Sequence, residues 1–357
     1  IGSFIYESAY SDVLGRHLVN FAYLTDYDST NAILFQYQNS TGIPFRGFWG
    51  LNYFKDINFQ FQIYNRRKSP LIEVFDGVSF WFEFPYNFGQ FISSSHLFTT
   101  ALQFWDRKVF LSNDYKGDIF ENPLGGKEGT FILSYRFVKK RQNKINAYVP
   151  YQGKGLRVST KFINESIWGE RNYFKLETDT YVNKKIGLLA LYFRLRYEQI
   201  SGQYPPQEQL GLVDIPNYYF AGRYVPGREY MSLRGWRNSR LGNNAFIGTT
   251  EIRFPILPLN ILELLSTLKL GQPTFAIISD FGNAWNNNTY SNPIIFTSGI
   301  EARFSILFSD FPILTLSYGL AQETENWVHT FKDVFELNEK KTSLPEPYFR
   351  LVLINPF

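Results

Sequence analysis

The sequence predicts an all-β fold, a sixteen-stranded antiparallel transmembrane β-barrel with a long outer loop folded into its lumen. Three observations support this. Sixteen short segments alternate apolar and polar side chains, and aromatic residues make up 19% of the chain. Nowhere do about 18 apolar residues run together, as a membrane-spanning helix requires. The alternation is clearest at 188–198, where Leu189, Leu191, Phe193, Leu195 and Tyr197 share one parity. Tyr192, Arg194, Arg196 and Glu198 take the other. Strand side chains repeat every two residues, so this segment has one apolar and one charged face. A soluble sandwich buries the apolar face. A membrane barrel turns it to lipid and points the charges into a watery lumen.

In chain order the expected strands are 2–11, 16–25, 31–38, 45–54, 58–66, 77–85, 94–107, 129–138, 154–165, 171–183, 187–199, 245–256, 273–284, 294–307, 312–321 and 347–357. Before about residue 128 they rest on barrel periodicity alone. Later strands show two faces plainly. Leu156, Val158, Thr160 and Phe162 oppose Arg157, Ser159 and Lys161, and Phe174, Leu176 and Val182 oppose Lys175, Glu177 and Asp179. Ile252, Phe254 and Ile256 oppose Glu251 and Arg253, and Ile300, Ala302, Phe304 and Ile306 oppose Glu301, Arg303 and Ser305. With both termini on the periplasmic side, the long connections 108–128, 200–244 and 322–346 all become outer loops, while 87–90, 183–186 and 309–311 become periplasmic turns. Residues 139–153 and 257–272 are longer inner turns than this pattern favours. The whole chain, 1–357, reads as one barrel domain with loop 200–244 inserted in the lumen.

Composition fits. The chain has 36 Phe, 24 Tyr and 7 Trp, suited to aromatic girdles at two membrane–water interfaces. Mean hydropathy is −0.22, low because only every second barrel residue meets lipid. With no cysteine, a disulfide scaffold or thiolate metal site is excluded. The net charge of +4 is mild and its Lys and Arg are scattered, so nucleic acid is not an expected partner. The chain opens on Ile1 without an initiator Met or a basic-plus-apolar leader, as a processed portion of a longer product does.

The longest connection holds Tyr218-Tyr219-Phe220-Ala221-Gly222 and then Ser232-Leu233-Arg234-Gly235-Trp236. Glu251-Ile252-Arg253-Phe254-Pro255-Ile256 follows, and then Ser279-Asp280-Phe281-Gly282-Asn283-Ala284-Trp285. In this order and spacing the chain resembles the BamA/TamA/FhaC superfamily of outer-membrane assembly and secretion barrels, the bacterial surface antigen family. The resemblance is sharpest over about 200–357. Trp236 stands where that family has Phe or Tyr, and Gly222-Arg223 replaces a Gly-Gly pair. The resemblance implies a sixth outer loop tucked into the lumen and locked by Arg234, with Asp280 as first partner. Parity agrees, because Asp280 shares its face with Ala276 and Gly282 while Phe275, Ile277 and Phe281 take the lipid side. Glu251 is the second inward candidate, and Gly235 permits a sharp bend. The remaining inward charges, Arg157, Lys161, Lys175, Glu177, Arg194, Arg196, Arg253, Glu301, Arg303 and Arg350, read as residues that solvate the lumen and pair across strands.

The last strand sets Phe349, Leu351, Leu353 and Phe357 on one parity, like the signal by which barrels are handed to assembly machinery. Pro356 lacks an N–H and weakens the ladder at the strand's end. The resemblance implies a lateral seam between first and last strands that opens to clients. His17, His96 and His329 have no ligand spacing, and no nucleophile elbow or phosphate loop occurs, so no enzymatic activity, metal or cofactor is expected. The expected function is insertion of outer-membrane proteins, or translocation of polypeptides, in the bacterial outer membrane. Expected partners are outer-membrane lipid, a polypeptide client, and a periplasmic module or accessory subunits. The resembled family carries POTRA repeats, which are not expected within 1–357. The alternative is a passive channel, or a membrane anchor for a fused or partner periplasmic module.

Overall fold

A computed structural model of the protein describes residues 4–25, 31–41, 47–60, 71–88, 94–111, 123–141, 152–187, 189–212, 231–236, 240–255, 274–287, 293–305, 312–323 and 346–353. Its strands are β1 (Phe4–Ser11), β2 (His17–Thr25), β3 (Asn31–Asn39), β4 (Phe48–Gln60), β5 (Leu71–Phe88), β6 (Ser94–Leu111), β7 (Gly126–Arg141), β8 (Gln152–Ile163), β9 (Tyr173–Ile186) and β10 (Leu189–Gly202). Then come β11 (Leu210–Leu212), β12 (Arg240–Gly242), β13 (Asn244–Pro255), β14 (Thr274–Trp285), β15 (Ile295–Ser305), β16 (Pro312–Glu323) and β17 (Glu346–Leu353). Fifteen of them form one antiparallel sheet in sequence order, β1 to β10 and then β13 to β17. The small pair β11–β12 stands apart within the long β10–β13 connection.

The faces sort as the alternation requires. Outward Ile277, Ile300 and Phe349 are 46%, 60% and 70% exposed, whereas inward Asp280 and Glu301 are 1% and 4% exposed. Uncovered apolar rows on one side of a sheet call for an apolar solvent, which is the barrel arrangement. Aromatics gather at one end of that outer face. Tyr37 meets Trp49 edge-on with centroids 5.4 Å apart, Trp49 meets Phe80 at 6.0 Å, and Phe98 meets Tyr135 at 4.8 Å. His96 Nδ1 lies 2.8 Å from the Tyr135 hydroxyl, beside Phe98. All of these lie near the ends of β3–β7 that are joined by the connections 39–48, 88–94 and 141–152. That is one aromatic girdle.

Two expectations are corrected here. Segments 45–54 and 58–66 were expected as separate strands, but 48–60 is one strand. Its register against β5 shifts between Phe54 and Ile57, one residue more on β4 than on β5, and Asp56 sits at φ 53°. This bulge flips the parity, so that both Phe54 and Ile57 are buried. The Asp56 N–H donates to Asp76 Oδ1 at 2.6 Å. Residues 61–66 lie outside the described residues, and the strand expected at 77–85 runs from Leu71 to Phe88. The second correction follows from the count. With fifteen sheet strands among the described residues and every neighbour antiparallel, β1 and β17 run in the same direction. The start of β1 therefore lies at the end of the sheet that carries connections 111–126, 202–244 and 323–346, not at the other end with the close of β17. By the same count the 202–244 connection follows the tenth sheet strand, not the eleventh.

Candidate functional site

The described parts of the β10–β13 connection, 203–212 and 231–243 apart from 237–239, form a plug against the inner wall. Its first piece is a 3-10 turn, Pro206–Glu208, opened by Pro205-Pro206, which preset φ. Gln207 is fully buried, and its side-chain amide binds the backbone of Leu124 both ways, Nε2 to O at 2.7 Å and Oε1 from N at 3.0 Å. Glu208 accepts from Arg107 at 2.7 Å. Arg107 also lies 3.2 Å from Glu128, which accepts from Arg171 at 2.8 Å and from the Tyr173 hydroxyl at 2.7 Å. The loop thus begins with an anchor on β6, β7 and the start of β9.

The chain then pairs Leu210–Leu212 with Arg240–Gly242. Gly242 is needed here, because a Cβ would lie 2.4 Å from the Trp285 carbonyl oxygen. Met231 N donates to Gly211 O at 3.1 Å and adds a third, parallel piece. Leu210, Leu212, Met231 and Leu233 bury themselves against Ile200, Ala245, Ile247, Ala284 and Ile295 of the wall, with Trp236 packed alongside. Each such side chain contributes about 1.5–3 kcal/mol when fully buried. Alternation could not reveal these residues, since the loop has no period.

At the tip, Trp236 N donates to Leu233 O at 3.1 Å, closing a turn with Arg234 and Gly235 in its middle. Gly235 has φ 77°, the positive value that a type II turn demands at its third residue. A Cβ there would also come within 2.0 Å of the Tyr348 ring of β17. This turn aims Arg234 at the wall. Its Nε and Nη2 donate to the two Asp280 oxygens, each at 2.6 Å, in a bidentate pair. Nη1 donates to Glu251 Oε1 and Glu301 Oε2, each at 3.2 Å. Arg303 binds Glu251 at 2.8 and 3.0 Å and also pairs with Glu301. Arg253 Nε reaches Glu251 at 2.7 Å, and the Ser317 hydroxyl donates to Glu301 at 2.8 Å.

Three guanidiniums and three carboxylates therefore meet on β13, β14, β15 and the loop, every one under 9% exposed. Charge cancels, and every polar group of Arg234 is satisfied, which is what makes a buried ion cluster tolerable. The planar fork of arginine fixes direction as well as distance, which lysine could not do. Beyond the tip, Arg240 donates to Asn283 Oδ1 at 3.0 Å, pairs with Glu323 and stacks over Trp236 at 5.8 Å.

Of the residues singled out from sequence, Arg234, Gly235, Asp280 and Glu251 come together here. Glu301, Arg303 and Arg253, read as general lumen charges, belong to the same cluster. Their signal was the Glu-x-Arg repeat on the inward parity of both β13 and β15. Phe349 and Leu351 face outward on β17, on the opposite side of the sheet from the cluster, and Leu353 pairs with Leu314 in the ladder. Pro356, Phe357 and 218–223 lie outside the described residues. Among the described residues no group of His, Asp and Glu is arranged to hold a metal.

No family model and no curated relative matches this chain. Solved structures do. The Haemophilus ducreyi BamA lacking POTRA domains 1-3 superposes with a TM-score of 0.61 at 12% identity, over 98% of this chain and 66% of that one. The fold is that of a BamA-type barrel. CdiB from Escherichia coli matches with a TM-score of 0.53 at 12% identity, over 90% of this chain and 55% of its own length. The chain thus spans less than two thirds of the length of each of these two structures.

Proposed function

We propose that this chain works as a bacterial outer-membrane barrel that inserts other outer-membrane proteins or translocates a polypeptide across that membrane. The BamA-type fold supports the reading, but one observation carries it: a loop arginine locked bidentately to Asp280 and shared with Glu251 and Glu301. A lock of this kind holds a polypeptide-sized plug in one position while leaving it releasable as a unit. Glycine at 235 sets the plug's tip on Tyr348 of the last strand, which ties the loop to the edge where a client strand would join. Phe349, Leu351 and Leu353 belong to that edge, and Pro356 would limit its hydrogen bonding.

The test is reconstitution in lipid vesicles with an unfolded outer-membrane barrel as client. The protein should speed appearance of the heat-stable folded client band at least several-fold, and Arg234→Ala should abolish most of that gain. No gain over empty vesicles would sink the proposal. A steady conductance in planar bilayers that Arg234→Ala leaves unchanged would favour a passive channel instead. The seam has its own test. Amide exchange along β17 should be faster than along β14, and equal protection of the two would remove the weak seam.

A further inference from the structure

We infer that the lumen wall of β7–β10 carries a docking strip for an acidic, extended polypeptide segment. Arg136, Arg157, Asp179 and Arg196 are direct partners in register across these four strands, one row perpendicular to the strand direction. Two inward rows along, Lys161 lies directly opposite Lys175. Like charges set directly opposite destabilise a sheet, so such pairs need a compensating anion. The lysine pair has one: Glu177 lies 3.1 Å from Lys161 and 3.4 Å from Lys175, and Glu198 is 3.4 Å from Lys175. The arginine pair does not. Arg157 reaches only to 3.9 Å from Glu177 with half its side chain exposed, and Arg136 is exposed and forms no ion pair among the described residues. Asp179 is taken by Arg194, which binds it bidentately at 2.9 and 2.5 Å. Six cations (Arg136, Arg157, Lys161, Lys175, Arg194 and Arg196) thus face three strand carboxylates (Glu177, Asp179 and Glu198), with the loop's Glu208 also acting on Lys175, so cations remain in surplus.

The Arg234 cluster on the neighbouring wall is balanced three against three. The surplus on β7–β10 is therefore local, and the row of Arg136 and Arg157 lies near the middle of these strands. Four adjacent strands span roughly 14 Å across the row, at about 4.8 Å per strand. That is too wide for one small anion. It matches four or five residues of extended chain at about 3.3 Å each, with carboxylates on alternate residues facing the arginines. Exposed guanidiniums also attract carboxylates over a Debye length, about 8 Å at physiological salt, so the strip can steer as well as hold.

This deepens the polypeptide-handling function proposed above by naming the chemistry of a segment it would take. Peptide binding in detergent involves no insertion or translocation, so either result can fail without the other. The experiment is fluorescence anisotropy of a labelled alternating Glu-Gly peptide with the full chain folded in a non-ionic detergent. Binding should weaken steeply between 50 and 300 mM salt, a range on the order of that set by screening. The Arg136→Gln/Arg157→Gln pair should bind at least tenfold more weakly, while Arg136→Lys/Arg157→Lys should stay within about threefold, since charge, not fork geometry, is what a flexible segment needs. Folding of each variant is checked by its heat-dependent gel shift, and the lysine variant keeps the test decisive if the glutamine one does not fold. Equal binding by the glutamine variant, equal binding of a Lys-Gly peptide, or displacement by inorganic phosphate at equal concentration would overturn the inference.

Discussion

Two inward clusters, one on β2–β6 and one on β13–β15, both keep their side chains away from water, but with opposite chemistry. On the first wall Ala32, Leu34, Phe54, Ile57, Phe75 and Trp105 pack into one apolar cluster on the inner side of the sheet. On the second, Glu251, Arg253, Asp280, Glu301 and Arg303 are just as buried, around a guanidinium brought in by the loop. Inward does not mean wet in this barrel. An apolar wall contributes stability without directionality, because dispersion and hydrophobic burial accept any close-fitting shape. A charged wall specifies one partner in one orientation, because each buried charge is costly unless its counter-ion arrives. The apolar cluster is a core, and the charged cluster is a receptor for the loop's tip, while Arg107 of β6 receives the loop's start through Glu208.

The sharpest way to break that contrast is to strand a charge. Asp280→Ala leaves Arg234 buried with only the two long contacts to Glu251 and Glu301, and breaking a buried pair costs about 3–5 kcal/mol. Amide exchange at 231–236 should rise accordingly while that of β2–β6 does not change. On the apolar wall, Phe54→Ala should cost about 3–5 kcal/mol of global stability in urea unfolding from lipid vesicles, with loop protection unchanged until the barrel unfolds. If Phe54→Ala loosened the loop as much as Asp280→Ala did, the two walls would not be distinct.

A third change tests the outer face against both inner ones. Ile277 sits near the middle of β14 and points outward. Ile277→Arg should cost about 2–4 kcal/mol in a bilayer, where an arginine near the midplane meets hydrocarbon. A cost within about 0.5 kcal/mol, the ordinary value for a water-facing surface site, would place that face in water.

Much of this was legible in the chain. The outward rows through Leu191, Phe193, Ile277 and Ile300 follow from period-two alternation alone, because a strand cannot hide which of its faces is apolar. Asp280 could be placed inward by the same counting, and the Leu-Arg-Gly-Trp string marked where a partner would come from. Other features were not legible, each for a physical reason. The bulge at Asp56 reverses the parity between Phe54 and Ile57, and a reversal of parity looks the same in sequence whether the chain turns or merely bulges. Reading it as a turn split one strand into two. Glu301 and Arg303 looked like ordinary lumen charges, since the group that gives them a role lies 67 residues away from Glu301 on a loop. The anchor of Glu208 on Arg107 spans 101 residues, and no local pattern reports a contact of that range.

The loop-locking pair itself can be measured most directly by a double-mutant cycle. Arg234→Ala, Asp280→Ala and the double variant would be compared through the opening free energy of the Trp236 amide, whose hydrogen bond to Leu233 closes the turn. A lock predicts a coupling of about 2–3 kcal/mol, the upper range for residues in one buried network. Single effects that simply add, within about 0.5 kcal/mol, would mean that Arg234 does not hold the loop through Asp280.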